Sequence, residues 1–317
     1  MLKLFRIERG LIRELAGEET PLAHILPQAH WLDAQEPEDE EREALEQMMR
    51  LDLPELDEME EIEASARYFV DQAGIHVHSL FLTQSEGRHV TSSVACILQP
   101  NRLITIRDTE LADFRLLRMR ARRGQVESHS PAQLLVTLLE QKVENLADNL
   151  EDIHRNLEKT SYLVLEEEGS DLEEAIAQLA KSEDSNGKIR LCLMDTQRAI
   201  SFLLRHLRDS PELNESCREI MRDIDTLMAH TTFLFDKINF LMDSTQGFIN
   251  IEQNQIIKIF SIAAVVFLPP TLVASIYGMN FEHMPELQWM LGYPWALGLM
   301  VLSGITPYLL FKYKGWL

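Results

Sequence analysis

The chain contains 317 residues, and 45% of them are apolar, so it can bury a hydrophobic core and general disorder is excluded. Acidic residues outnumber basic ones by 51 to 30, which gives a formal net charge of −21. This sign of charge argues against nucleic acid as a partner and favours a surface that attracts cations.

The three cysteines, Cys96, Cys192 and Cys217, lie far apart in the sequence and form no CxxC pair. An odd number at these spacings does not fit a disulfide framework, so a reducing compartment is expected. Residues 1–15 carry charges every few positions and lack the apolar run of a secretory signal. The N-terminal part is therefore predicted to stay in the cytoplasm.

Residues 1–108 are predicted to form a cytoplasmic α/β domain. Runs rich in β-branched or aromatic residues predict strands at 66–71, 75–82 and 102–107. The segment Asp71-Gln72-Ala73-Gly74 predicts a turn between the first two strands. His76 and His78 would share one face of the second strand, and we interpret them as a structural pair because no third metal ligand is evident.

From Thr109 onward the apolar spacing is helical, and residues 109–210 form an acidic helical region. The expected helix breakers before Pro211 are Gly124, Pro131, Gly169 and Gly187. Five arginines cluster in this region, namely Arg115, Arg118, Arg120, Arg122 and Arg123. We interpret them as salt-bridge partners of the acids in two stretches, 36–63 and 140–184, rather than as a nucleic-acid site.

A stalk helix is predicted at 211–258. Ser210 is a suitable N-cap, Pro211 suits the first helical position, and Glu212 places an acid in the first turn. If this helix continued to Ile276, its 66 residues would span about 100 Å and include Pro269 and Pro270.

Residues 259–281 and 287–311 contain no charged side chain, and each run is long enough to cross a bilayer. They predict transmembrane helices at 259–276 and 291–311, joined by a loop at 277–290 and followed by a tail at 312–317. Lys258 precedes the first span, and Lys312 and Lys314 follow the second, whereas the loop between the spans has neither Lys nor Arg. Both termini should therefore face the cytoplasm, with the loop on the periplasmic side.

Two spans cannot enclose an aqueous path, so a pore would need several copies around an axis. A stripe of mostly small or polar residues recurs at helical spacing and could face this axis: Asp243, Gly247, Asn250, Asn254, Ser261, Leu268, Thr271 and Ser275. The same pattern is also typical of close packing between transmembrane helices, so both readings stay open.

The segment Tyr277-Gly278-Met279-Asn280-Phe281 follows the first span, and Met284-Pro285-Glu286-Leu287 precedes the second. This arrangement resembles the CorA family of magnesium and cobalt transport proteins. Three further segments share the resemblance: residues 247–254, residues 267–271 and the ending Lys314-Gly315-Trp316-Leu317. The family implies a homopentameric funnel with an α+β cytoplasmic domain, a long stalk helix and two C-terminal transmembrane helices.

The resemblance also implies roles for particular residues. The entry ring would consist of Gly278, Met279 and Asn280. The pore would be lined by Asp243, Asn254, Ile257, Phe260, Leu268 and Thr271. Glu60, Glu61 and Glu219 would bind regulatory Mg²⁺ between subunits. Independently of the resemblance, Glu282 and Glu286 in the periplasmic loop would raise the local cation concentration through their field.

Asn280 suits an entry ring because Mg²⁺ loses its water reluctantly and prefers octahedral oxygen ligands. A neutral ring of amides would hold the hydrated ion weakly enough to release it. Gly278 would permit a backbone bend after the helix, or would act as an ordinary helix C-cap.

The expected function is a channel, not an enzyme, that admits Mg²⁺, and also Co²⁺ and Ni²⁺, through a bacterial inner membrane. Intracellular Mg²⁺ would gate it. The expected partners are other copies of the chain and the lipid bilayer. Two alternatives stay open: a transporter of Zn²⁺ or another transition metal with the same fold, and a membrane-anchored cation sensor that does not conduct.

Overall fold

A computed structural model describes residues 1–15, 22–49, 53, 67–166, 171–207, 210–280 and 284–315. The chain divides into two compact units, Met1–Met242 and Asp243–Leu317. The first unit combines a β-sheet with helices, and the second contains two long apolar helical segments. The predicted fold class, an α+β domain with a long helix and two C-terminal apolar helices, is confirmed.

The first unit contains a seven-stranded sheet with the order β2-β1-β3-β7-β6-β5-β4. Its strands are β1 (Leu2–Glu8), β2 (Leu11–Glu14), β3 (Trp31–Gln35), β4 (Tyr68–Val70), β5 (Ile75–Ser85), β6 (Arg88–Leu98) and β7 (Leu103–Arg107). Only β3 and β7 pair in parallel among these strands. The three strands that the sequence predicts correspond to β4, β5 and β7.

The described residues of the two units together contain seven α-helices. They are α1 (Leu22–Ile25), α2 (Asp39–Met49), α3 (Ala112–Arg122), α4 (Pro131–Leu165), α5 (Leu172–His206), α6 (Pro211–Tyr277) and α7 (Gly292–Tyr313). Short 3-10 helices occur at Leu26–Gln28 and Pro285–Gln288.

The helix starts follow local chemistry. The Ser130 hydroxyl accepts a hydrogen bond from the Gln133 amide at 3.1 Å, and Pro131 occupies the first turn of α4. As predicted, α6 begins at Pro211 and includes Pro269 and Pro270. The prediction of a break at Gly187 is wrong, because this residue lies inside α5. Tertiary packing of that helix outweighs the cost of one glycine, which is about 1 kcal/mol.

The predicted turn between β4 and β5 is present. The Asp71 carboxylate accepts hydrogen bonds from the amides of Ala73 and Gly74 at 2.8 and 3.1 Å. Gly74 has a φ of +144°, and a Cβ there would lie 2.3 Å from the Leu98 carbonyl oxygen. Glycine is therefore required at this position.

A buried carboxylate joins α5 to the open edge of β5. One oxygen of Asp195 accepts hydrogen bonds from Arg67 at 2.8 Å and from the Tyr68 hydroxyl at 2.6 Å. The other accepts from the Ser79 hydroxyl at 2.6 Å and from the Leu80 amide at 2.8 Å. The Asp195 side chain thus accepts from the Leu80 amide, which lies beyond the part of β5 that pairs with β4.

Burial would raise the pKa of Asp195, but Lys142 and the hydrogen bonds from Ser79, Tyr68 and Leu80 outweigh it and lower the pKa. The carboxylate is therefore charged in the folded protein. Removing one partner of such a network typically costs several kcal/mol, because the remaining charge stays buried without compensation.

A second buried carboxylate, Asp33, joins β3 to β7 and α3. Its Oδ2 atom contacts Arg107 at 2.8 Å and Arg118 at 2.7 Å. Of the other clustered arginines, Arg120 pairs with Glu144 at 3.3 Å and Arg122 pairs with Glu14. Three of the five arginines thus form salt bridges, but only Arg120 pairs with an acid of the two predicted stretches, so the interpretation is confirmed for Arg120 alone.

His76 and His78 are buried on one face of β5, as predicted for residues two apart on a strand. His76 contacts the Asp71 carboxylate at 2.9 Å, whereas neither ring nitrogen of His78 has a hydrogen-bond partner. Burial, followed by the charges of His76 and Arg67, lowers the pKa of His78 to about 4. His78 is thus neutral in the fold at ordinary pH.

We predict that His78 makes the protein less stable in acid. Its folded pKa of about 4 lies below the unfolded value of 6.5, so stability present above pH 6.5 is lost as the pH falls toward 4. The loss from this group is roughly 3 kcal/mol. Melting temperatures of the full chain in detergent should fall less steeply between pH 7 and 4.5 in His78→Leu than in the wild type.

The matched control is His24→Leu, because His24 is an exposed histidine in α1. This variant should retain the wild-type pH dependence. Parallel melting curves for the wild type and His78→Leu across this range would contradict the assignment.

Candidate functional site

The candidate site lies on the second unit and consists of one face of α6 and the segment after it. The polar and apolar members of this face are exposed along its length: Asp243, Asn254, Ile257, Phe260, Leu268 and Thr271. Phe260 is 71% exposed, Leu268 65% and Ile257 60%, although all three side chains are apolar. Such exposure of large apolar side chains marks a surface that lipid or another chain covers.

The opposite face of α6 is partly buried between residues 262 and 277, and Gly304 of α7 lies against it at Val266 and Pro270. Half-buried residues recur at 262, 265, 266, 269, 270, 273 and 277, a spacing that places them on one side of the helix. At 3.6 residues per turn, the centre of this side lies roughly 140° from the face that carries Leu268 and Ser275. Between residues 262 and 275 the predicted stripe therefore lies on the side of α6 that the described chain leaves open, whereas residues 250–261 are exposed on every side.

Close contact between the two helices depends on a glycine. A Cβ at Gly304 of α7 would lie 3.2 Å from Pro270 Cγ and 3.4 Å from the Val266 carbonyl oxygen. Such distances are tighter than ordinary van der Waals contact, so a small residue at this point lets the helices approach. At Gly298, six residues earlier, an added Cβ would meet nothing within 4 Å.

Thr271 lies next to the proline pair. Pro269 and Pro270 have no amide hydrogen, so the carbonyls one turn earlier lose their usual helical donor. The Thr271 hydroxyl donates to the Phe267 carbonyl at 2.8 Å, so it does not replace the donors that the carbonyls of Val265 and Val266 lose to the prolines. The lone pairs of the hydroxyl oxygen remain directed away from that bond and can accept from water.

Helix α6 ends at Tyr277, directly before the Gly278-Met279-Asn280 segment. The Gly278 amide donates to the Ala274 carbonyl at 2.9 Å and the Met279 amide donates to Ile276 at 3.3 Å, so the last turn closes on these residues. Asn280 follows without regular structure and is exposed. The φ angle of Gly278 is not positive, so this residue continues the helical turn rather than forming a left-handed cap.

Part of the loop before α7 is a compact turn. Residues Pro285–Gln288 form a 3-10 helix, and the Trp289 amide donates to the Glu286 carbonyl at 3.3 Å. A Cβ at Gly292 would lie 2.3 Å from that same carbonyl oxygen, so only glycine fits where α7 begins. Glu286 is thus held close to the start of α7, and Glu282 lies outside the described residues.

Glu219 lies on the part of α6 that belongs to the first unit, near a cleft of about 230 Å³. Burial raises the pKa of Glu140 in this cleft, and the carboxylates of Glu144, Glu219 and Asp223 raise it further. Glu219 itself is exposed and contacts Arg222 at 3.7 Å. Four carboxylates therefore repel one another where α4 meets α6.

Within the described part of the chain, no group of three or more His, Cys, Asp or Glu side chains is arranged to hold a metal ion. Glu60 and Glu61, which the sequence analysis pairs with Glu219, lie outside the described residues. Their contribution to a shared site therefore stays a prediction.

Sequence reasoning missed Gly292 and Gly304. Both are ordinary small residues in an apolar segment, and only the position of the neighbouring backbone or proline ring distinguishes Gly304 from Gly298. The position of Gly292, five residues after the Met-Pro-Glu-Leu segment, was a weak indication that a turn there needs glycine.

Helices α6 and α7 each contain a window long and apolar enough to cross a membrane, and these windows are almost wholly exposed. The family model described as "CorA-like Mg2+ transporter protein" matches residues 28–313.

Two curated relatives match over the whole length of both proteins. The magnesium transport protein CorA of Salmonella typhimurium is 49% identical over 319 residues, and that of Escherichia coli strain K12 is 48% identical over 320 residues. Among solved structures, the complete CorA magnesium transporter of Methanocaldococcus jannaschii superposes with a TM-score of 0.75 at 19% identity. That comparison covers 100% of this chain and 99% of the other, and it supports the fold alone. The chain belongs to the CorA-like Mg²⁺ transporter family.

Proposed function

We propose that several copies of this chain, five by analogy with the family, surround a pore that conducts Mg²⁺ into the cell across the bacterial inner membrane. The single observation that carries this proposal is the exposed stripe on α6, which lies opposite α7 and leads to Asn280. Rotational symmetry would convert each residue of the stripe into a ring. Both termini would lie in the cytoplasm.

Asn280 and the backbone of Gly278 and Met279 would form the mouth of this pore. Amide oxygens can accept hydrogen bonds from the water shell of Mg²⁺ without replacing it, which avoids the cost of dehydration. Glu286 and Glu282 near this mouth would raise the local concentration of cations through their field.

Three apolar side chains, Ile257, Phe260 and Leu268, would form the gate. A narrow ring of such residues excludes water when closed, so it can block a hydrated ion without a covalent or ionic lock. Wider separation of the copies would hydrate the ring, with Thr271 and Asn254 supplying polar contacts along the path. Asp243 would complete the path on the cytoplasmic side.

Transport of this kind requires no fuel. A membrane potential of about 100 mV contributes roughly 4.6 kcal/mol to the entry of a divalent ion. The same potential acts on Co²⁺ and Ni²⁺, which we propose as further cargo because an amide ring selects for a hydrated divalent ion rather than for one element.

Intracellular Mg²⁺ would close the channel by binding between neighbouring subunits. The repulsion among Glu140, Glu144, Glu219 and Asp223 supports this idea, because a bound divalent ion would relieve it. We propose that Glu219 faces Glu60 and Glu61 of an adjacent copy. Binding to the closed arrangement alone would then stabilise it in proportion to Mg²⁺ concentration.

We predict that Asn280→Ala lowers Mg²⁺ influx into proteoliposomes at least about tenfold, which corresponds to an entry barrier that is higher by about 1.4 kcal/mol. The reason is that the mouth loses its ring of amide oxygens. Asn280→Asp should also lower the maximal flux, because carboxylates hold the ion more tightly.

Gln288→Ala is the matched control, since Gln288 is another exposed amide between the two helices but lies in the 3-10 turn. It should transport normally. Unchanged flux in Asn280→Ala would remove the entry ring from the proposal. Flux that requires a proton gradient would favour a coupled transporter of Zn²⁺ or a related metal, and a folded wild type with no Mg²⁺ current would favour a non-conducting cation sensor.

We predict that Gly304→Ala separates α6 from α7 and impairs assembly, whereas Gly298→Ala does not. The added methyl meets Pro270 Cγ in the first variant and nothing in the second. Melting temperature and oligomeric mass in detergent would measure the effect, and equal values for the two variants would contradict it.

We predict that Glu219→Ala weakens the protection that Mg²⁺ gives against proteolysis, because the variant loses one of the carboxylates that the ion would bridge. Limited proteolysis across a Mg²⁺ titration would show a higher half-protecting concentration. Glu215→Ala, one helical turn earlier on α6, serves as the control. An unchanged titration in Glu219→Ala would exclude this residue from regulation.

A further inference from the structure

One cleft of the first unit has the opposite charge to the rest of the chain. It has a volume of about 440 Å³ and lies between β1 and α3. Its lining residues are Lys3, Glu110, Arg115, Arg118, Met119, Arg122 and Arg123. Five of these seven residues are cationic, although the chain as a whole carries a formal charge of −21.

At the base of the cleft, two buried arginines are neutralised by two carboxylates, of which Asp33 is buried and Glu110 is exposed. Arg118 is 5% exposed and contacts both Asp33 and Glu110. Arg107 contacts the same two carboxylates, at 2.8 and 3.4 Å. Two guanidinium groups thus match two carboxylates, and the Arg118 side chain is fixed in place.

The remaining charges are not matched. Arg122 pairs with Glu14, which leaves Lys3, Arg115 and Arg123. None of these three side chains has an acidic partner within 4.0 Å in the described part of the chain. The cleft therefore holds three uncompensated positive charges.

Helical spacing brings these cations to one side of α3. Arg115, Arg118 and Arg122 are separated by three and four residues, and Arg123 follows one turn after Met119. Lys3 approaches from β1, opposite Asp33 in the strand register. Cations from two elements thus converge on a concave surface instead of spreading over a convex one.

We propose that this cleft binds a multivalent phosphate chain, a di- or triphosphate group that is either free or part of a nucleotide. Arginine presents paired donors that match two phosphate oxygens, and lysine adds a compact charge. The three unmatched cations suit a ligand that carries three or more negative charges within a few ångströms. A single orthophosphate would leave part of this charge uncompensated.

The cleft should prefer a phosphate chain that has no Mg²⁺ bound. A Mg²⁺ complex carries two fewer negative charges, so its attraction to the cleft is weaker at every distance. Binding at this cleft would therefore decrease as Mg²⁺ saturates the ligand. This property depends on the cleft alone and holds whether or not the chain conducts ions.

Isothermal titration calorimetry of the full chain in detergent tests the proposal, with sodium tripolyphosphate in a buffer free of divalent cations. Tripolyphosphate should bind more tightly than pyrophosphate, and pyrophosphate more tightly than orthophosphate. The double variant R115Q/R123Q should lose at least tenfold in affinity, whereas the control Arg155→Gln should bind as the wild type does. Arg155 is an exposed arginine of α4 that pairs with Asp152.

Titration with ATP distinguishes the two sources of the phosphate chain. ATP that binds more tightly than tripolyphosphate would assign the site to a nucleotide, and ATP that fails to compete would assign it to a free chain. Saturating Mg²⁺ should weaken the binding of either ligand.

Three results would overturn the proposal. They are no binding to folded wild-type protein, equal affinities of R115Q/R123Q and Arg155→Gln, and an affinity that Mg²⁺ does not change. A shift in oligomeric mass for R115Q/R123Q, without phosphate binding by the wild type, would instead assign these cations to contact between copies of the chain. Circular dichroism confirms that each variant is folded before titration.

Discussion

A bilayer offers no hydrogen-bond partner to a polar group, and this constraint determines how α6 can be used. Between Lys258 and Glu282 the helix and the segment after it contain no charge, yet Ser261, Thr271 and Ser275 recur on one side. The other side is partly buried, and Gly304 of α7 lies against it. The Thr271 hydroxyl donates to a carbonyl of its own helix, but its lone pairs can accept only from water or another protein surface, because lipid offers no donor. A wet axis between copies and close packing between helices would both supply such donors, and the proposed pore would alternate between them.

The first unit, in contrast to the uncharged part of α6, buries charged side chains in its interior and pairs them there. Asp33 and Asp195 each collect several donors from different elements, and each is almost fully buried. Asp195 also pairs the Leu80 amide at a sheet edge that β4 is too short to cover. Such networks often add little net stability compared with an apolar core, but they penalise any other arrangement of the same elements. We interpret them as devices that fix α3 and α5 on the sheet.

Elements defined by local pattern were predictable from the sequence, whereas contacts between distant segments were not. The start of α6 at Pro211 follows from capping chemistry within three residues, and β5 and β7 follow from runs of β-branched residues. The parallel pairing of β3 with β7 depends on residues about 70 positions apart, and no local signal specifies it. Asp195 looks like one more acid on an acidic helix until its partners are known. Gly187 looks like a helix break, yet packing of α5 keeps it helical.

The site was predictable to the same limited extent. Spacing alone could not distinguish the open side of α6 from a packed one, because an exposed stripe and a covered stripe both obey helical periodicity. The covering helix, and the requirement for glycine at 304 but not at 298, needed the relative positions of α6 and α7. Roles of single residues, such as Asn280 at the mouth, rest on resemblance to the family, since one protomer contains no ring.

The first unit carries two clefts of opposite charge, and Mg²⁺ would act on both. At the acidic cleft around Glu140 the ion would neutralise the carboxylates that raise the pKa of Glu140. At the basic cleft beside α3 it would instead remove charge from the phosphate ligand, so that occupancy there falls as the ion concentration rises. A rise in Mg²⁺ would thus fill the first cleft and empty the second. Because both responses depend on charge at short range, a single ion concentration could set the state of the whole unit without a dedicated high-affinity cage.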